Sequence, residues 1–160
     1  FWATLTPTQL QSIEAVAMDM WEAYIASVRQ HVPEGAGKIV FDKFHIASHL
    51  GEAVDKVRRQ ENSALLQQGD QRLVGTKYQW LRNVVNFTKD AWADFAHLRH
   101  SALKTARAWA LKETALALFT YRYQKPARDF FHRWYNWAIR SRLAPMAAVA
   151  RTLKLRLDNI

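Results

Sequence analysis

The chain has 160 residues, 49% of them hydrophobic and 23% charged, with no cysteine and a formal net charge of +9. That length and balance suit an ordinary folded domain with a sizeable core and exclude disorder, while the lack of cysteine excludes disulfide frameworks and thiolate metal sites. No apolar run approaches the roughly eighteen residues a membrane span needs, and the start lacks a signal-like pattern, so a soluble, untargeted protein is expected.

Thr6-Pro7 marks a helix start, with Thr6 as N-cap and Pro7 in the first turn. Ile13 to Met18 is a short, bounded apolar run that suits a buried strand, and Asp19 stands at its exit. From Trp21 to Arg29 the residues Trp21, Tyr24, Ile25 and Val28 form the stripe of an amphipathic helix, which Pro33, Gly35 and Gly37 bring to an end. Lys38 to Phe41 reads as a second short strand ending on Asp42. Ile46, Leu50, Ala53, Val54 and Val57 then line one face of a helix. Two strands joined by a helix are most simply parallel neighbours.

Residues 62–77 hold Gly69, Gly75 and several Gln and Ser, the composition of a boundary. Their glycine spacing is no phosphate loop, because no Gly-Lys-Ser or Gly-Lys-Thr follows. Beyond them everything reads as helix. Tyr78 to Asn86 places Trp80, Leu81, Val84 and Val85 on one face, and Thr88 caps a segment holding Trp92, Phe95 and Leu98. Leu103 to Tyr121 is rich in Ala and Leu. Pro126 opens a helix with an aromatic stripe of Phe130, Phe131, Trp134, Trp137 and Ala138. Pro145 opens the last, with Met146, Val149, Leu153, Leu157 and Ile160 at heptad-like spacing. The helical periodicity of the tryptophans favours core packing over base stacking.

The positive charge lies in this helical part. Residues 1–94 carry ten Lys or Arg against eleven Asp or Glu, and residues 95–160 carry thirteen against three. Such a block suits a polyanion, since each neutralised phosphate releases counterions, although a solvated helical face has the same composition. Arg128, Arg133, Arg140, Arg142, Arg151 and Lys154 are the candidates for phosphate contact, with no base specificity visible.

Ligands of open α/β sheets gather at the carboxyl ends of the strands, where Asp19 and Asp42 sit. A carboxylate there coordinates a hard cation such as Mg²⁺, or it caps the helix that follows; spacing alone leaves both readings open. His45 and His49, four residues apart on a helix, could share a metal with His31 or Asp42, but no Glu lies between them as in a His-Glu-x-x-His site. No serine lies in a Gly-x-Ser-x-Gly elbow.

Three strings carry a resemblance: Ala15-Val16-Ala17-Met18-Asp19-Met20-Trp21-Glu22-Ala23-Tyr24-Ile25; Ile39-Val40-Phe41-Asp42-Lys43-Phe44-His45; and Ala53-Val54-Asp55-Lys56-Val57-Arg58-Arg59-Gln60-Glu61. Together they resemble bacterial insertion-sequence transposases of the ISL3 group, in the DDE superfamily. The likeness extends to Leu81-Arg82-Asn83 and Trp137-Ala138-Ile139-Arg140-Ser141. It implies an RNase H-like core in which three carboxylates bind two divalent ions, Mg²⁺ or Mn²⁺. Those ions activate water, and later a 3′ hydroxyl, for attack on phosphodiester bonds at the transposon ends. By position Asp19 resembles the second acid, a catalytic metal ligand. Asp42 and His45 resemble an Asp-x-x-His element, with His45 assisting at the scissile phosphate and Asp42 supporting at the strand end. Arg58 and Arg59 join the basic residues expected on DNA.

The fold class implied is α/β plus all-α. Residues 1–61 form part of the RNase H-like catalytic core, with two parallel strands and helices; 62–77 are a linker; 78–160 are a basic α-helical insertion region. Counterparts of the first acid and the final Glu are not found, Glu14 being the sole carboxylate before Asp19, so the sequence resembles an internal fragment. The implied partners are DNA, as terminal inverted repeats and target, and further copies of the complete protein, in a cytoplasmic, nucleoid-associated setting without membrane. The alternatives are a non-catalytic basic helical DNA-binding module, the remnant of a decayed transposase gene, or a helical protein-interaction domain.

Overall fold

A computed structural model describes residues 1–160 and divides them into two compact units, residues 1–46 with 156–160, and residues 47–155. The chain is mostly helical, with a single two-stranded parallel sheet.

In the first unit a 3₁₀ turn, Trp2–Thr4, precedes α1 (Pro7–Gln11), which starts on a capping box. The Thr6 hydroxyl accepts from the Gln9 N–H at 3.3 Å, and Gln9 Oε1 accepts from the Thr6 N–H at 2.8 Å. Thr6→Ala is expected to cost about 1 kcal/mol, measured as a shift in thermal midpoint.

Strand β1 spans Val16–Met18, shorter than the apolar run that contains it, and pairs in parallel with β2 (Ile39–Phe41). The register sets Val16 opposite Ile39 and Met18 opposite Phe41. The Asp42 N–H donates to the Met18 carbonyl at 3.0 Å, which extends the ladder to the strand ends. Between the strands, α2 (Glu22–His31) buries Ile25 and Val28. Trp21 and Tyr24, expected on the same stripe, are instead 57% and 51% exposed and meet edge to face at 4.6 Å. For Trp21 the reason is local: it occupies the N-cap with extended backbone and stands outside the helical periodicity.

Gly35 and Gly37, expected only as helix stops, begin another helical turn, α3 (Gly35–Lys38), entered through Glu34 in the left-handed conformation at φ 57°. Gly35 is required by close approach, since a Cβ there would lie 2.6 Å from the Val28 carbonyl oxygen. Because that neighbour is backbone, Gly35→Ala is expected to destabilise the unit by about 1–3 kcal/mol, read from the urea midpoint. At the far end of the chain, the Asn159 amide donates to the Ala36 and Ile39 carbonyls, each at 3.0 Å, and Arg156 pairs with Glu22.

Helix α4 (Lys43–Leu66) belongs to both units, and its stripe of Ile46, Leu50, Ala53, Val54 and Val57 is buried throughout. Residues 62–66 continue this helix, and turns follow in which Gly69 and Gly75 take φ of 77° and 72°. In these turns the Arg72 side chain and backbone N–H hold the Asp70 carboxyl below its usual 3.8, and Asp70 in turn raises Arg72. A folded-state pKa below the unfolded one stabilises above 3.8 and loses that contribution as pH falls further.

The second unit is completed by α5 (Lys77–Leu81), α6 (Lys89–Arg99), α7 (Lys104–Leu116), α8 (Gln124–Arg140) and α9 (Ala144–Leu155). The Thr88 hydroxyl caps α6 as expected, accepting from the Ala91 N–H at 3.3 Å. Trp80, Phe95 and Trp109 are buried and meet edge to face, 4.7 Å and 5.4 Å apart across Phe95. Trp134 is buried too, its indole N–H on the Leu111 carbonyl at 2.9 Å.

Several sequence expectations are corrected here. The helix expected to Asn86 stops at Leu81, leaving Val85 88% exposed. Its end is held by Lys112 of α7, whose buried ammonium donates to the Trp80 carbonyl at 3.3 Å and the Leu81 carbonyl at 3.5 Å. Helix α7 gives way after Leu116 to a 3₁₀ turn, Ala117–Thr120. Trp137 lies outside the core at 43% exposure, where Phe131, Trp134 and Ala138 take the buried face. In α9 the small residues Ala147 and Ala150 join Met146 and Leu153 in the core, and the helix ends before Leu157.

Candidate active site

The parallel register brings Asp19 and Asp42 side by side, each one residue past its strand. Each carboxylate accepts one nearby backbone N–H through its Oδ1. Asp42 Oδ1 accepts from the Phe44 N–H at 2.8 Å, the capping role that spacing allowed, whereas Asp19 Oδ1 accepts from the adjacent Met20 N–H at 2.5 Å and caps no helix, the N-cap of α2 being Trp21. The second oxygens face a common neighbour. His45, in the first turn of α4, places Nδ1 3.8 Å from Asp19 Oδ2 and Nε2 3.9 Å from Asp42 Oδ2.

Both separations exceed hydrogen-bonding distance, so the ring faces the two carboxylates without a direct hydrogen bond across either gap. The group is open to solvent, with side-chain exposures of 35% for Asp19, 38% for Asp42 and 52% for His45. One imidazole between two carboxylates at a strand end is suited to exchanging a proton with an oxygen seated there.

A hard divalent cation fits this donor set in part. Asp19 offers an oxygen ligand, but no three His, Asp or Glu side chains converge into a ligand cluster. Mg²⁺ held by one or two carboxylates completes its shell with waters and substrate phosphates. His49 faces Glu52 at 4.0 Å and the His31 ring is engaged by the Ser27 carbonyl at 2.8 Å, so these rings have separate neighbours.

The signature of the ISL3 transposases, described as a transposase, matches residues 1–160. The chain belongs to this DDE transposase family. A relative from Bordetella parapertussis, the transposase for insertion sequence element IS1001, is 29% identical over 163 aligned residues. That alignment takes in all of this chain and 40% of the relative, so the chain spans about two fifths of its length. No solved structure matches. Transposases as a class cleave and transfer DNA, and no helix of this chain is long and apolar enough to cross a membrane.

The basic residues expected on DNA are placed unevenly in the ISL3 chain. Arg128, Arg133, Arg140, Arg142, Arg151 and Lys154 are exposed on or beside α8 and α9. Lys154 rests over the Tyr135 ring at 4.6 Å. Arg58 is turned inward, its side chain 12% exposed and paired with Asp55 at 2.8 Å; Arg59 reaches the same carboxylate at 3.3 Å but is 67% exposed. Glu61, which matched no catalytic pattern in sequence, accepts three hydrogen bonds at the start of α7. Neither that role nor the buried Lys112 had a sequence signal, because each partner lies tens of residues away.

Proposed function

We propose that this chain is a segment of a DDE transposase which contributes Asp19 as a catalytic metal ligand, His45 as a proton-exchanging group at the scissile phosphate, and Asp42 as the carboxylate steadying that ring. The observation that carries the reading is the single imidazole standing between two strand-end carboxylates, within a chain that matches the family along its whole length.

In this reading residues 1–61 belong to an RNase H-like core, residues 62–77 link it onward, and residues 78–160 form a basic helical insertion. A divalent cation, Mg²⁺ or Mn²⁺, would supply Lewis-acid polarisation of the phosphodiester bond and an activated oxygen nucleophile. The chain's own part is to place an oxygen ligand at Asp19, to orient His45 through both ring nitrogens, and to bind backbone phosphates through the exposed cations of α8 and α9. The partners are the transposon's terminal inverted repeats and target DNA, with further copies of the complete protein; the setting is cytoplasmic and nucleoid-associated.

The test is cleavage of a duplex carrying the element's end by the complete transposase, wild type against His45→Ala. A fall of about 10²–10⁴-fold with unchanged DNA binding is expected. A variant that cleaves normally, or that loses binding and cleavage together, rejects the role given to His45.

A further inference from the structure

Helix α8 presents a face that the phosphate-contact reading does not use up. At about 100° per residue, Lys125, Asp129, His132, Arg133, Asn136 and Arg140 fall within a wedge of about 100°. All six are exposed, opposite the buried Phe131, Trp134 and Ala138. Exposed Arg128 and Trp137 border the wedge on either side. Its three basic side chains therefore meet one acid. Near its centre stand Asp129 and Asn136, the latter an uncharged amide in the interior of a 17-residue helix. Asparagine is a poor helix former in such a position, and no packing calls for it there.

A helix of this length is about 25 Å long, and the major groove of B-DNA, about 12 Å wide, admits an α-helix. Cations towards both borders of the wedge suit the two phosphate walls. An amide with one acceptor and one donor suits the paired N6 and N7 of adenine. We propose that α8 enters the major groove with this face inward, its cations on phosphates and the Asn136 amide on an adenine edge. The helix thereby reads sequence as well as charge. This rests on the reading of the chain as DNA-binding.

The test is selection of duplexes from a random-sequence pool by the 160-residue chain and by Asn136→Ala, with circular dichroism confirming that both are folded. The wild type is expected to enrich a motif containing an adenine. The variant should keep its affinity for unselected duplex and lose about tenfold discrimination at that position. Arg133→Ala and Arg140→Ala should weaken all duplexes alike and each reduce the salt slope by about one. An unchanged motif in Asn136→Ala, wild-type binding with no motif, or preference for single strands overturns the assignment but leaves DNA binding standing. Absence of salt-dependent binding to any duplex overturns the reading beneath it.

Discussion

Asp19→Asn in the complete transposase is expected to abolish strand cleavage, with a loss of at least about 10³-fold, while DNA binding is retained. The substitution keeps the size of the side chain and an oxygen to accept the Met20 N–H, so the strand end should keep its shape. What it removes is the negative charge that would hold a hard cation and that faces His45 at 3.8 Å. Cleavage and binding measured on the same duplex separate the two effects. Equal loss of both would make Asp19 a structural residue and end its assignment as a metal ligand. Partial rescue by Mn²⁺, which tolerates poorer oxygen ligands than Mg²⁺, would strengthen it.

The second large effect is on stability. Glu61→Ala is expected to lower the unfolding free energy of the unit formed by residues 47–155 by about 3 kcal/mol. The Glu61 carboxylate accepts from the Lys104 N–H, the Thr105 N–H and the Thr105 hydroxyl, all at 2.7 Å. These are charge-assisted bonds to helix-start groups that have no partner within the helix. Removing the carboxylate takes the acceptor from the N–H and hydroxyl of Thr105, which is buried, while the exposed Lys104 N–H turns to water. Glu61→Gln keeps an acceptor but turns an NH₂ towards a donor, so an intermediate loss is expected. Urea midpoints of the three proteins decide the matter, and equal stability of wild type and Glu61→Ala would remove the cap from the account of this fold.

Much of the candidate site is legible in the order of residues along the chain. The pattern of strand, helix and strand makes parallel pairing the simplest arrangement, and parallel pairing puts the residues after Met18 and Phe41 next to one another. His45 follows Asp42 by three residues in the first turn of a helix, so its ring returns towards the same strand end. The caps at Thr6 and Thr88 and the buried stripe of α4 are legible for the same reason: each is decided by neighbours within a few residues.

Tertiary structure decided what depends on distant partners. Periodicity marks Trp134 and Trp137 as one stripe, yet only Trp134 finds an acceptor, the Leu111 carbonyl, and a core to enter. The end of α5 is fixed by Lys112, which lies 31 residues beyond Leu81. The start of α7 is fixed by Glu61, 43 residues before Lys104. A sequence states which groups a residue could satisfy; which of them it does satisfy is settled only when the chain closes and buried polar groups must find partners or lose several kcal/mol.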